Sequence, residues 1–296
     1  MVEGDRSSKY FCNLEKRNYV EKIIPKLILE DETEIFDQND IMDQQKEYYQ
    51  NLYTSRNLSS NENTDSIFLN PGNPFINRLD QADSKKIEGE LTDYECSFAL
   101  NNMKNGKSPG LDGFTSEFYK FFWSDIREYV VKALNYGYHN GIFSITQRQG
   151  VITCLPKEGK SKFYLKNWRP ISLLNVDYKI ASAAIANRVK KVLDIIISES
   201  QTGFMKGRFI GESTRLIYDI IEKCDTENIP GILLLLDFEK AFDSIEWAFI
   251  EKSLRFFGFG ESIIKWFNTF YSNISSCVQY NGHCSGFFPI QRGVRQ

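Results

Sequence analysis

Five aliphatic residues in a row, Ile232 to Leu236, give way at once to Asp237, and this junction constrains the chain more than any other stretch. A continuous apolar run of this length suits a strand buried on both faces, because a half-buried strand would alternate apolar and polar positions. The junction therefore predicts a carboxylate delivered where the backbone leaves the core. A carboxylate so placed can bind a hard cation such as Mg²⁺ through oxygen. The same pattern also describes an acid that merely starts a turn after a strand.

The rest of the chain mixes helical and extended signals. Residues 38–54 read as a helix with an apolar face of Ile41, Tyr48, Tyr49 and Leu52. Residues 15–29 stay open between helix and strand, interrupted by Pro25, and residues 55–78, rich in Ser, Asn, Gly and Pro, read as a linker. Thr92 is placed to cap a helix that starts at Asp93 and ends near Gly106. Glu117–Tyr138, Val176–Ile197, the repeat from Leu216 to Cys224, and Ile245–Phe257 read as further helices, and Gly150–Leu155 as a short strand. Cys277–Tyr280, Asn281-Gly282 and Cys284–Ile290 read as a hairpin with a tight turn. Strands mixed with helices in this way predict an α+β fold rather than a regular parallel winding.

Composition narrows the function classes. The chain has 296 residues, and its six cysteines are scattered with no Cys-x-x-Cys pair and only two histidines. A zinc site and a disulfide framework are both disfavoured, and the cysteines read as free thiols. The amino-terminal residues lack the apolar core of a signal peptide, and no apolar run approaches the roughly 18 residues that span a bilayer. An intracellular protein, nuclear or cytoplasmic, without a membrane partner is expected; nothing points to a protein partner. The net charge of −3 argues against a polyanionic partner, but its distribution does not. Residues 30–66 hold ten acids and two bases, whereas residues 103–192 hold fifteen bases and six acids. A chain divided this way can hold a polyanion on one surface; composition alone favours ordinary surface charge.

Longer strings are more specific. Asp237-Phe238-Glu239-Lys240-Ala241-Phe242-Asp243-Ser244 after an apolar run resembles the first catalytic motif of reverse transcriptases in non-LTR retrotransposons and group II introns. Leu155-Pro156-Lys157, followed by Asn167-Trp168-Arg169-Pro170-Ile171-Ser172, resembles the fingers hairpin of the same family. Lys107 to Gly113, Gln201 to Arg208 and Arg292 to Gln296 resemble three more of its segments, all in family order. Gly4 to Arg17 and Tyr48 to Tyr53 are similar to the connector upstream of the polymerase in long interspersed elements.

The resemblance implies a right-hand polymerase: a helical connector over 1–57, a polar linker over 58–85, fingers with the start of the palm over 86–230, and a partial palm over 231–296. It implies RNA as template, a DNA primer and deoxynucleoside triphosphates as substrates, and two Mg²⁺ ions in the complete enzyme. Asp237 would be the catalytic metal ligand, with the Phe238 backbone carbonyl as a second. Lys157 and Arg169 would clasp the triphosphate, as a point charge and a planar fork. Phe242 would lie under the incoming sugar and clash with a 2′-OH, or else only pack the core. Lys206 and Arg208 would meet template phosphates, and Gln296 would support the template–nucleotide pair. Glu239 and Asp243 read as local and structural. The family continues with a Gly-Asp-Pro string and an aromatic-x-Asp-Asp turn, and no Asp-Asp pair occurs here. The expectation is a chain that does not polymerise DNA by itself, the other reading being a relic that at most binds nucleic acid.

Overall fold

The computed structural model describes residues 24–56 and 77–295. The start of the expected connector, most of the expected linker and Gln296 lie outside the described residues.

A mixed sheet, paired on both edges of one central strand, organises the fold. Strands β1 (Leu27–Ile28) and β2 (Glu34–Ile35) form a small antiparallel pair ahead of helix α1 (Gln38–Tyr53). Asp37 caps α1 by accepting from the amides of Asn39 and Asp40, which satisfies two of the donors a helix start leaves free. Short helix α2 (Gln81–Lys85), α3 (Asp93–Asn101), the long α4 (Ser116–Asn140) and the single turn α5 (Ile145–Arg148) lead into β3 (Gln149–Pro156). Strand β4 (Trp168–Leu173) returns antiparallel to β3, with Leu155 opposite Arg169. Helices α6 (Val176–Lys190), α7 (Leu193–Ile196), α8 (Ile210–Glu227), α9 (Ala241–Ser244), α10 (Trp247–Phe256) and α11 (Glu261–Tyr271) come next. Strand β5 (Ser275–Tyr280) then pairs parallel to the other edge of β3, with Val151 opposite Cys277. Two short strands, β6 (His283–Cys284) and β7 (Phe288–Pro289), both pair antiparallel with β5. The expected turn at Asn281-Gly282 is present, both residues having positive φ as a tight hairpin turn requires.

Among the described residues the core falls into three apolar clusters, two of them larger than the third. In one of the larger two, α3, α4, α6 and α11 pack around Trp266, whose ring stacks on Tyr138 at 4.4 Å between centroids. In the other, Tyr49 and Tyr53 of α1 pack on Ile152, Val278 and Phe288 of the sheet. The helix expected to precede the polymerase residues is therefore part of the body they build. The residue ranges assigned to fingers and palm likewise share one sheet, since β3 of the first range pairs with β5 of the second.

An ion pair ties the helical cluster to its edge. Arg188 of α6, 6% exposed, bonds Glu95 through Nε at 2.5 Å and Nη2 at 2.6 Å, and also donates to the carbonyls of Ile87, Gly89 and Glu90. Burial raises the Glu95 carboxyl, but the Arg188 hydrogen bonds and the Thr92 cap outweigh it and hold it at about 2. Thr92 caps α3 as expected, and Glu95 completes a capping box with it.

Four expectations are corrected. Ile232–Leu236 forms no strand; its side chains are exposed, Leu234 at 72%. A strand needs a hydrogen-bonded neighbour, and among the described residues none pairs with this run. The helix expected from the Leu216–Cys224 repeat is present but longer, α8 running from Ile210 to Glu227, and it buries none of its residues among the described ones. The helix expected over Val176–Ile197 breaks after Lys190, where the amides of Lys191 and Val192 bond back three residues instead of four and tighten the turn. The carboxyl end of the expected linker is packed: Leu79 is buried, its amide donates to the Phe257 carbonyl at 2.9 Å, and α2 comes directly after it.

A second tie joins three distant segments. The Arg292 guanidinium donates to the Leu52 carbonyl at 2.8 Å and pairs with Glu246 at 3.6 Å, and Ser55 Oγ also donates to Glu246, at 2.8 Å. The amides of Gly293 and Val294 donate to the carbonyls of Ile245 and Phe242 at 2.8 and 2.7 Å. Gly293 has φ +80°, and a Cβ there would meet the Asp243 carbonyl oxygen at 2.5 Å. Only glycine fits both demands.

Both ties have measurable consequences. Arg188→Ala leaves the half-buried Glu95 without its cation and is expected to lower stability by about 1.5–3 kcal/mol, the size of a lost charge-assisted hydrogen bond. Because the folded Glu95 pKa lies below its ordinary 4.5, the pair's stability is complete above that value and lost as pH falls through about 2. Urea titrations at neutral and acid pH check this; a variant that matches the wild type, or loses stability with the same acid dependence, contradicts it. Gly293→Ala is expected to cost about 1–3 kcal/mol through the left-handed backbone, besides the clash. An unchanged urea midpoint would show that the segment shifts freely.

Candidate active site

The β3–β4 ladder determines where the two candidate phosphate cations stand. Lys157 immediately follows β3, and Arg169 is the second residue of β4. The loop between them is closed by the Lys157 amide donating to the Asn167 carbonyl at 2.8 Å and by Trp168 Nε1 donating to the Lys162 carbonyl at 2.9 Å. Both cations line one cleft of ≈ 170 Å³, together with Tyr48 and Leu52 of α1 and with Lys240 and Asp243. Lys157 Nζ donates to the Lys166 carbonyl at 2.9 Å, while Arg169 is exposed.

The opposite wall is the short turn after the apolar run. Lys240 adopts a left-handed conformation, φ 51°, and its carbonyl accepts from the amides of Asp243 and Ser244 at 2.9 and 3.0 Å, which starts α9. Asp243 is buried, and Tyr53 Oη donates to its carboxylate at 3.0 Å. Burial pushes the Asp243 carboxyl up, against the lowering effect of the Tyr53 hydrogen bond and of Lys240 and Lys157. The tyrosine is raised far above its ordinary value, first by burial and then by the neighbouring carboxylate. Asp243 is thus a structural carboxylate, held by the helix ahead of the sheet.

The remaining candidates are less gathered. Asp237 and Phe238 are exposed and do not line the cleft. Among the described residues no group of three or more His, Cys, Asp or Glu side chains could hold a metal ion. Phe242 is 51% exposed and stands edge-on to Phe204, with centroids 6.2 Å apart and planes at 87°. This contact joins the expected sugar-facing ring to the expected template stretch. Phe204 was not singled out by sequence; it sits in the turn that Gly203 opens, with a positive φ of 64°. Lys206 is exposed. Arg208 is engaged inside the protein, donating to the carbonyls of Ser198, Gln201 and Ile197 and lying 3.4 Å from Asp194. Its guanidinium braces the 197–201 loop instead of standing free for phosphate. Tyr48 and Lys240, also absent from the sequence-based candidates, enter the cleft through folding. No helix among the described residues is long and apolar enough to cross a membrane.

Comparison with known proteins gives the family context of these residues. Residues 155–296, from the end of β3 onward, match the family described as reverse transcriptase (RNA-dependent DNA polymerase). The whole chain is 34% identical to the "Transposon TX1 uncharacterized 149 kDa protein" of Xenopus laevis, of which it spans 22%. Over 177 residues, 58% of the chain, it is 26% identical to the "Retrovirus-related Pol polyprotein from type-1 retrotransposable element R1" of Bradysia coprophila, of which it spans 17%. The match begins within the strand that sets Lys157 and Arg169: residues 155–296 match the reverse transcriptase family, and the chain as a whole is similar to proteins of transposable elements, of which it spans about a fifth.

Proposed function

We propose that these residues form the nucleotide-binding part of an RNA-directed DNA polymerase, with deoxynucleoside triphosphates as substrates, RNA as template and DNA as primer. The observation that carries this reading is the meeting of Lys157 and Arg169 in one cleft with the turn from Lys240 to Asp243. In this reading residues 86–230 are fingers with the start of the palm and 231–296 part of the palm. Residues 1–57 are the connector, and 58–85 the segment that joins it to them.

The chemistry assigned to each side chain follows from its type and place. Lys157, at the end of β3, is a compact charge for a phosphate oxygen; Arg169, exposed on β4, presents a planar fork that can bind two oxygens at once. Phe242 offers a rigid wall against a 2′-OH. Lys206 is left free for template phosphate, a contact that positions nucleic acid without reading its sequence.

Reverse transcriptases generally use divalent metal ions, and Asp237 with the Phe238 carbonyl is the proposed place for them. The described residues do not fit a pair of Mg²⁺ ions. Such ions take near-ideal octahedral oxygen coordination shared between carboxylates, water and substrate phosphates. One exposed carboxylate, outside any group of three or more potential metal ligands among the described residues, is too few. What the described residues supply is binding and orientation of the nucleotide.

Calorimetric titration of the chain with a deoxynucleoside triphosphate tests the reading. Arg169→Lys keeps the charge but loses the fork, and is expected to weaken binding by about 1.5–3 kcal/mol. Lys157→Ala should have a comparable effect. Affinity that is the same in the wild type and both variants would remove these residues from a nucleotide site.

A further inference from the structure

We propose that the Lys240 side chain is a third cation for the triphosphate of the bound nucleotide, and that Tyr48 of helix α1 is the residue that positions it. The proposal rests on the nucleotide-cleft reading of Lys157 and Arg169 and extends it to two further residues of the same cleft.

The first observation is one of charge. Lys157, Arg169 and Lys240 line the cleft with a single carboxylate, Asp243. That carboxylate is buried and hydrogen-bonded by Tyr53. Among the described residues none of the three cations makes an ion pair. Three positive groups facing one already engaged carboxylate leave the cleft short of negative charge. A polyphosphate supplies it, several charges within a few ångströms, and charge-assisted contacts to phosphate oxygens are the strong kind.

The second observation is how Lys240 is held. Its backbone is pinned, in the left-handed region, by the two amides that its carbonyl accepts. Its ammonium donates to Tyr48 Oη at 2.7 Å and lies 4.9 Å from the centre of the same ring. A neutral phenol and a ring face orient an ammonium without neutralising it, so the charge stays available to a ligand. A salt bridge to Asp243 would have consumed it. Tyr48 is itself fixed by its edge-on contact, 5.2 Å between centroids, with the fully buried Tyr49. The helix that precedes the polymerase-type residues thus supplies part of the nucleotide site.

The test uses the full chain and titrates inorganic tripolyphosphate, a deoxynucleoside triphosphate and a single-stranded RNA, all in chelator so that only protein contacts are read. Lys240→Gln is expected to weaken tripolyphosphate and nucleotide binding roughly tenfold, the size of a lost charge-assisted hydrogen bond. Lys240→Arg, which restores the charge, is expected to recover most of the affinity. Tyr48→Phe keeps the ring and removes the acceptor, and is expected to weaken binding roughly threefold. If Tyr48 acts through Lys240, that loss disappears when Lys240 is already glutamine, a coupling that a merely structural tyrosine would not show. Lys240→Gln binding like the wild type, while the Lys157 and Arg169 variants bind weakly, would overturn this inference and leave the nucleotide cleft standing. Wild-type affinity in the Lys157 and Arg169 variants would remove the cleft itself, and the inference with it. A loss confined to RNA would assign Lys240 to the nucleic-acid backbone and overturn the proposal as well.

Discussion

Strand β3 must have both its edges paired, and the rest of the chain is arranged around how that is done. The near neighbour, β4, closes one edge after an eleven-residue loop, residues 157–167, and so fixes Lys157 and Arg169 at the end of one ladder. The far neighbour, β5, runs parallel, and a parallel pair cannot be joined by a tight turn. The intervening chain has to travel back along the sheet, and α6 and α11 of that return pack with α3 and α4 around Trp266. The half-buried ion pair of Arg188 and Glu95 then holds the segment over residues 87–90 to the same cluster.

The same logic explains why the leading helix belongs to the site. Its last turn gives Tyr53 to Asp243 and the Leu52 carbonyl to Arg292. These bonds stiffen the turn between Lys240 and Glu246 from one side, while the Gly293 and Val294 amides stiffen it from the other. A turn held on both sides presents its side chains at a defined place, which is what a binding cleft needs and what an exposed loop seldom provides.

Local chemistry was legible in the sequence where the residues act on their own backbone. Thr92 and Glu95, three apart, cap α3; Asn281 and Gly282 make the hairpin turn; the charged and apolar periodicity of residues 38–54 is α1. The Lys157 and Arg169 strings were noticed through their resemblance to a family's hairpin, and the β3–β4 ladder sets both residues at one end of it. What failed depends on distant partners. Ile232–Leu236 meets every local criterion for a buried strand, but burial and pairing come from neighbours that the run cannot specify. Leu79 sits in a polar stretch and is buried because Gly258 and Phe257 approach it. Helix α11 escaped notice although Ile263, Trp266 and Phe270 recur at helical spacing; its weight in the core appears only once Trp266 is seen among four helices. Arg208 has the residue type of a phosphate ligand, and three backbone carbonyls claim it first.

The unpaired aliphatic run also bears on how such a chain behaves in bulk solution. From Gly231 to Leu236 there are six consecutive residues without a charge, outside any strand ladder and with Ile232 at 96% exposure. Extended, uncharged and apolar windows of this length template intermolecular sheets. Pro230 on one side and Asp237 on the other limit its spread, since one cannot donate to a ladder and the other resists stacking on its own copies. In a chain of this kind the aspartate that ends the run therefore has a second physical consequence, as a gatekeeper against self-association.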